Sequence, residues 1–302
     1  MKVIFRADDV GYTDVHNLGT WKAIDDGVVT SCDLMLDTPG FADACKRLRD
    51  YPWLSVGWHT HFWGRPVLSP SEVPSMVDSQ GKFKWRKDRS AANTVDYDEA
   101  VKELRAQLER CKDWLGRLPD TTGLSAIGPG GAARRAQGQE AETHEGPLSR
   151  ALRTVCDEYG IVYGFMGGKG YGGKETIPDD KYKALNIQEW VDLSHKHHKS
   201  LNVVDFPFYD PAGAIMEMPI DDSVIYMRSQ HPGYLDDYVL AESSCTIPRV
   251  KDVEALCSPE LKAWIIKNRI ELVNHRDVLY GSSEYQDHLK DINSPLWIGN
   301  MN

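Results

Sequence analysis

Short apolar runs alternate with stretches of helical periodicity along most of the chain. The apolar runs predict buried strands, at residues 3–5, 28–31, 34–36, 54–59, 225–227 and 270–273. Apolar residues spaced by three and four predict helices, over 17–26, 41–50, 98–115, 147–159 and 259–267. Strands that alternate with helices from end to end predict an α/β fold with a parallel sheet, open or closed into a barrel.

Two segments lack this periodicity. Residues 121–146 are rich in glycine, alanine and charge, which predicts a long loop. Residues 164–173 are dense in glycine and include Lys169. Their spacing matches neither the Walker motif nor the G-x-G-x-x-G motif of phosphate-binding loops, so a flexible lid or a connector is favoured. There is no internal repeat and no interdomain linker. We therefore expect a single domain over 1–302 with an inserted loop at about 120–146.

Composition narrows the classes of function. The 302 residues are 41% hydrophobic, enough for a large core, and the net charge of -10 comes without a basic stripe, which argues against nucleic acid as a partner. No apolar run has the length to span a bilayer, and the N-terminal run is too short for a secretion signal. The six cysteines are scattered, as expected for reduced, packed thiols. These features predict a cytoplasmic protein without a membrane partner. They do not decide between a monomer and a homodimer.

The first candidate chemistry is the pair Asp8-Asp9, directly after the apolar run 3–5. Adjacent carboxylates oppose each other's ionisation. A metal ion resolves this conflict when one carboxylate binds the ion and the other accepts a proton from water. Taken alone, the pair fits equally a helix cap beside a solvated side chain.

His59-Thr60-His61 follows the apolar run 54–59. Positions i and i+2 of a strand face the same side, so both imidazoles could converge on one point. Neutral imidazole suits Zn²⁺ and similar ions. The alternative is two surface histidines in a turn that also contains Trp58 and Trp63.

His231 follows the run 225–227, where a barrel enzyme places catalytic groups, although a plain turn histidine before proline fits as well. His195, His197 and His198 lie among lysines, which favours a solvated polar surface over a metal site.

Several motifs, in register along most of the chain, resemble those of the YdjC/ChbG-like carbohydrate deacetylases. They are RADDVGY (6–12), GVVTS (27–31), VGWH (56–59), GRPV (64–67), HPGY (231–234), LCSPEL (256–261) and RD (276–277). The resemblance implies a distorted (β/α) barrel related to the NodB-type deacetylases. It also implies removal of an N-acetyl group from an amino sugar, such as a chitin-derived oligosaccharide, with release of acetate.

The resemblance further implies roles for individual residues. Asp9 falls on the family's metal-binding aspartate and Asp8 on its catalytic base. His59 falls on the first metal-binding histidine, and His231 on a late histidine that acts as an acid.

The family's histidine-rich ligand segment is replaced in this chain. Residues 117–125 (RLPDTTGLS) contain no histidine, and the next one is His144. We therefore expect His144 as the third metal ligand, with His61 as the alternative. The ion is a divalent metal; two histidines and a carboxylate favour Zn²⁺, with Mg²⁺ or another divalent ion as alternatives.

The substrate is expected to be a small carbohydrate. Trp58, Trp63 and Trp85, and also Tyr234, offer aromatic faces to a sugar ring, although core packing explains buried tryptophans as often. Two other functions stay open: a metal-dependent hydrolase of another amide or ester bond, and a sugar-binding or regulatory homologue that has lost a ligand. Activity on a panel of substrates distinguishes the other hydrolase from a deacetylase. Analysis of the metal content of the purified protein distinguishes the homologue that has lost a ligand.

Overall fold

The computed structural model describes residues 1–86, 89–122, 146–163, 182–185, 209–243 and 245–301. The strands of these residues are β1 (Lys2–Val10), β2 (Ser31–Leu34), β3 (Ser55–Trp58), β4 (Thr121–Thr122), β5 (Val162–Tyr163), β6 (Tyr182–Leu185), β7 (Ile225–Gln230) and β8 (Glu271–Leu272). The α-helices are α1 (Asp14–Asp25), α2 (Phe41–Leu48), α3 (Tyr97–Leu115), α4 (Pro147–Tyr159), α5 (Pro211–Met216), α6 (Asp237–Glu242), α7 (Pro248–Cys257), α8 (Pro259–Lys267), α9 (His275–Tyr280) and α10 (Glu284–Asp291).

The strands form one parallel sheet with β1 near its centre. Their order is β5-β4-β3-β2-β1-β7-β6, and β8 also pairs with the start of β1. Every residue from Val3 to Val10 is buried, as expected for a strand covered on both faces. The alternating order of strands and helices and the curled parallel sheet confirm the predicted α/β class and distorted (β/α) barrel.

Local signals in the sequence define several helix ends. Asp96 caps α3 by accepting from two backbone N–H groups, and Gly116 ends the helix with φ 82°, a conformation that glycine adopts without steric cost. The helices predicted over 147–159 and 259–267 are α4 and α8, with the predicted bounds. Each begins with proline, which tolerates the first turn because no N–H is needed there.

The strand next to β1 differs from the prediction. Residues 28–31 and 34–36 were predicted as two apolar strand segments, but the strand is a single one, Ser31–Leu34. It includes Asp33, a charged residue that is fully buried. The apolar pattern stopped at this position because Asp33 is charged. The strand nevertheless continues, since the buried carboxylate has ionic partners.

The predicted long loop begins later than expected. Thr121–Thr122 form β4, which pairs with both β3 and β5. The rest of the predicted insertion (123–145) lies outside the described residues, as do the glycine-dense segment at 164–173 and the histidines at 195–198.

The motif Arg276-Asp277 has a structural role. Asn274 and Asp277 form a capping box at the start of α9. Arg276 pairs with Asp120, 3.3 Å away, just before β4. The motif therefore fixes the C-terminal helices against the sheet.

All six cysteines are free, and four of them are buried, which confirms the prediction of packed thiols. Among the described residues, no helix combines the length and the apolar character needed to cross a bilayer.

Candidate active site

The candidate residues lie at the carboxyl ends of the parallel strands. Asp8 and Asp9 are near the end of β1, His59 directly follows β3, and His231 directly follows β7. Loops at this end of a β/α barrel carry the catalytic groups in enzymes of this architecture. Four predicted residues from three strands therefore reach the same end of the sheet.

The backbone of β1 is irregular at the two aspartates, which contact different partners. Asp9 has φ 62°, in the left-handed region that non-glycine residues rarely adopt, and the pairing register with β2 shifts between Ala7 and Val10. Such a conformation costs roughly 1–2 kcal/mol. The chain carries this cost at the residue that the family resemblance identifies as a metal ligand.

Asp9 is almost fully buried between a cation and a histidine. Its Oδ2 accepts a hydrogen bond of 2.7 Å from Arg249 Nη2, and its Oδ1 lies 2.8 Å from His59 Nε2. Burial raises the pKa of Asp9, but Arg249, His59 and His231 together hold it well below its ordinary value. Asp9 is therefore an anion in the folded protein.

The contact between Asp9 and His59 is short but not directional. Neither Asp9 Oδ1 nor His59 Nε2 has a hydrogen-bond partner of acceptable geometry, although both atoms are buried. Buried polar atoms without partners are rare in native proteins and call for an explanation. Two atoms that are oriented to bind one metal ion, rather than each other, would show this geometry.

His61 completes a group that fits a divalent ion. One ligand atom from each of Asp9, His59 and His61 lies within 4.8 Å of the others. The ring of His61 stacks on Trp63 at 4.6 Å between centroids and meets the His59 ring edge-on at 4.2 Å. Two imidazoles and a carboxylate suit the coordination chemistry of Zn²⁺ and related ions. The residues present therefore fit a metal.

The electrostatics of His59 also favour a cation at this point. Burial lowers the pKa of His59, but its contacts with Asp33 and Asp9 outweigh this and raise the pKa to about 10. The surrounding carboxylates thus stabilise positive charge at His59. A proton or a metal ion can satisfy that demand.

The two histidines converge for a reason other than the predicted one. The prediction placed both on one face of a strand, but β3 ends at Trp58. His59 and His61 lie in the turn that follows, and Phe62 has φ 52°. The turn, not strand alternation, brings the rings together.

Asp8 has a separate environment. Arg6 Nε donates to its Oδ1 at 2.6 Å and Arg6 Nη2 to its Oδ2 at 3.0 Å. This two-point contact fixes the plane of the carboxylate. Asp8 is thereby held as an oriented acceptor, distinct from Asp9.

His231 is held by a hydrogen bond from its backbone. Its N–H donates to Asp252 Oδ2 at 2.8 Å, and Asp252 Oδ1 accepts from the Tyr209 hydroxyl at 2.7 Å. The ring is close enough to Asp9 that its charge contributes to the lowered pKa of that carboxyl. The buried Nδ1 of His231 has no hydrogen-bond partner among the described residues.

Two of the four predicted aromatic faces are inaccessible. Trp58 is 0% exposed and Trp85 3%, and both belong to the core cluster, so neither can present a face to a sugar. The prediction for both is wrong because the side chains pack inward beside Phe62. Trp63 is partly exposed next to His61.

Tyr234 borders a different cavity. It is partly exposed and lines a crevice of about 650 Å³ between α1, α5, α7 and the start of α8. Asp9, His59 and His61 do not line that crevice. His144, the preferred third ligand in the prediction, lies outside the described residues.

The structure adds residues that the sequence pattern missed. Arg249 is fully buried and contacts Asp9 and, at 3.0 Å, His16 Nε2. His16 is also fully buried, and burial, together with Arg249, holds its pKa well below the ordinary value, so it is neutral. Asp33 lies 3.5 Å from His59. A charged residue inside an apolar run was a usable signal for Asp33, whereas nothing in the local sequence marks Arg249.

The chain is similar to known proteins over almost its whole length. Residues 2–120 match the family model described as YdjC-like protein. A carbohydrate deacetylase of Brevibacillus brevis is 30% identical over 282 residues, covering 92% of this chain and 100% of the relative. Carbohydrate deacetylase 2 of Listeria innocua is 25% identical over 280 residues, covering 92% and 99%.

A crystal structure of a proposed cellobiose-phosphate cleavage protein from Enterococcus faecalis V583 has the same fold. Its TM-score is 0.63 at 23% identity, and the match covers 92% of this chain and 98% of that one. This likeness supports the fold, and the relative from Brevibacillus brevis, at 30% identity, identifies the family. The chain therefore belongs to the YdjC-like family of carbohydrate deacetylases.

Proposed function

We propose that this protein is a metal-dependent deacetylase that removes N-acetyl groups from amino sugars, of the kind found in chitin-derived oligosaccharides, and releases acetate. One observation carries the metal dependence: Asp9 Oδ1 and His59 Nε2 are buried, 2.8 Å apart and without directional hydrogen bonds, beside a ligand atom of His61. The names of the relatives support the carbohydrate substrate.

A divalent cation bound by Asp9 and His59 would polarise a carbonyl and make water more acidic. The third ligand is His61, which the geometry supports, or His144. Two histidines and one carboxylate favour Zn²⁺, with Mg²⁺ and other divalent ions as alternatives.

The protein's own groups supply the proton transfers. The Asp8 carboxylate, oriented by Arg6, accepts the proton of the attacking water. His231 gives a proton from its ring to the nitrogen of the leaving amine. Arg249 keeps Asp9 ionised and holds one of its two oxygens, so that the other faces His59. Trp63 is a partly exposed aromatic side chain beside these groups.

Substitution of each candidate ligand tests the metal site. We expect His61→Ala to weaken metal binding by more than about 100-fold, beyond the 10–100-fold that loss of an outer partner costs. The readout is the dissociation constant from competition with a chromophoric chelator. The same measurement on His144→Ala shows which histidine is the third ligand.

His288 provides a matched control. Its ring stacks on Trp53 at 4.0 Å, as that of His61 does on Trp63, but it belongs to α10. His288→Ala should bind metal like the wild type. If neither His61→Ala nor His144→Ala weakens binding, the proposed ligand set is wrong.

A further inference from the structure

The guanidinium of Arg6 lies between two buried carboxylates. It makes the two-point contact with Asp8, and its Nη1 is 3.3 Å from Asp33 Oδ2. The side chains of Arg6, Asp8 and Asp33 are 10%, 8% and 0% exposed. Because all three groups are removed from water, their mutual contacts have to replace its hydrogen bonds.

Asp33 also faces His59. Its Oδ2 is 3.5 Å from His59 Nδ1, on the side of the ring opposite the nitrogen that faces Asp9. A carboxylate beside Nδ1 favours a proton on that nitrogen, so that Nε2 is the nitrogen that would bind a metal ion in place of a proton. Asp33 can therefore fix both the tautomer and the orientation of His59.

The neighbouring strand leaves space for this carboxylate. Gly57 of β3 is directly opposite Asp33 in the sheet register, and a Cβ at position 57 would collide with Asp33 Oδ1. Position 57 is therefore restricted to glycine as long as Asp33 occupies its observed place. The carboxylate is built into the sheet, since its position depends on the pairing of two strands.

We propose that Arg6 and Asp33 are positioning residues that link the two functions of the site: Asp33 orients His59 as a metal ligand, and Arg6 holds Asp33 and the base Asp8 in one fixed arrangement. This inference rests on the proposed metal-dependent function. Neither residue has to touch the substrate.

The charges of the three groups are consistent with this role. Asp33 Oδ2 lies within ion-pair distance of both partners, Arg6 and His59. The Arg6 cation balances part of the negative charge of Asp8 and Asp33.

The two positions are tested by separate readouts, metal affinity for Asp33 and turnover for Arg6. We expect Asp33→Ala to weaken the binding of Zn²⁺ by about 10–100-fold. Asp33→Asn keeps an acceptor oxygen for His59 and should bind Zn²⁺ about fivefold or more tightly than Asp33→Ala. Should Asp33→Ala fail to fold, Asp33→Ser gives the same comparison.

Arg6→Lys keeps the charge but cannot make the two-point contact with Asp8. We expect kcat at saturating Zn²⁺ to fall by about tenfold or more, with KM and the affinity for Zn²⁺ within about threefold of the wild type. A general loss of structure would change all three quantities together.

Asp277→Ala is the control for stability, because Asp277 is a buried carboxylate that caps α9. It should lower the melting temperature and leave the affinity for Zn²⁺ unchanged. Wild-type affinity in Asp33→Ala, or wild-type kcat in Arg6→Lys, overturns the inference and leaves the proposed function intact. If the wild-type protein itself binds no divalent metal, the proposed function fails first.

Discussion

Asp8→Asn is expected to lower kcat by about 10²–10⁴-fold, the contribution typical of a positioned general base. The amide has the size of the carboxylate, and its oxygen can still accept from Arg6, but it cannot take a proton from water. Asp8 is not among the three grouped ligands, so the affinity for metal should stay within about threefold of the wild type. Steady-state acetate release at saturating metal measures the first quantity, and chelator competition the second.

The control for this substitution is Asp14→Asn. Asp14 is the exposed first residue of α1, only a few positions from Asp8 in sequence. The substitution Asp14→Asn should leave kcat unchanged. A kcat of Asp8→Asn close to that of the wild type would exclude Asp8 as the base and assign proton transfer to another group.

Arg249→Met is expected to destabilise the protein by about 3–5 kcal/mol at neutral pH, the cost of breaking a buried ion pair from one side. Methionine fills much of the volume but leaves Asp9 Oδ2 and His16 Nε2 without their partner. Urea unfolding in the presence of a chelator measures the loss without a contribution from bound metal.

The loss should depend on pH, because the folded protein holds the pKa of Asp9 well below its ordinary value of 3.8. Such a group stabilises the fold above its unfolded pKa, and the stabilisation disappears as the pH falls through the folded pKa. The difference in stability between Arg249→Met and the wild type should therefore shrink below about pH 4.

The exposed pair of Arg105 with Glu158 supplies the control: Arg105→Met should change stability little. Equal effects of both substitutions would contradict the account.

The sequence predicted the elements whose signals are local. The apolar run of β1 followed directly by Asp8-Asp9 marks a strand end with unusual charge. Proline at the start and glycine after the end gave the bounds of α4. The same reasoning failed at β2, since Asp33 is stable in an apolar strand only because Arg6 and His59 lie beside it.

Contacts between distant parts of the chain were beyond local reasoning. Arg249 lies 240 residues from Asp9 in sequence, and only the fold brings the two together. Likewise, the sequence does not tell whether a tryptophan beside a ligand faces the surface or the core: Trp58 is buried, whereas Trp63 is partly exposed. For the third ligand, the turn after β3 favours His61, which the sequence gave only as the alternative to His144.

The most direct test of the central claim is acetate release from N-acetylated chitooligosaccharides by the wild-type protein, stripped of metal and then titrated with Zn²⁺ or another divalent ion. We predict no release from the stripped protein and full activity once one equivalent of ion is bound per chain. Undiminished release after stripping would contradict the metal dependence. If the metal-loaded protein releases no acetate from any N-acetylated sugar, the proposed reaction is wrong.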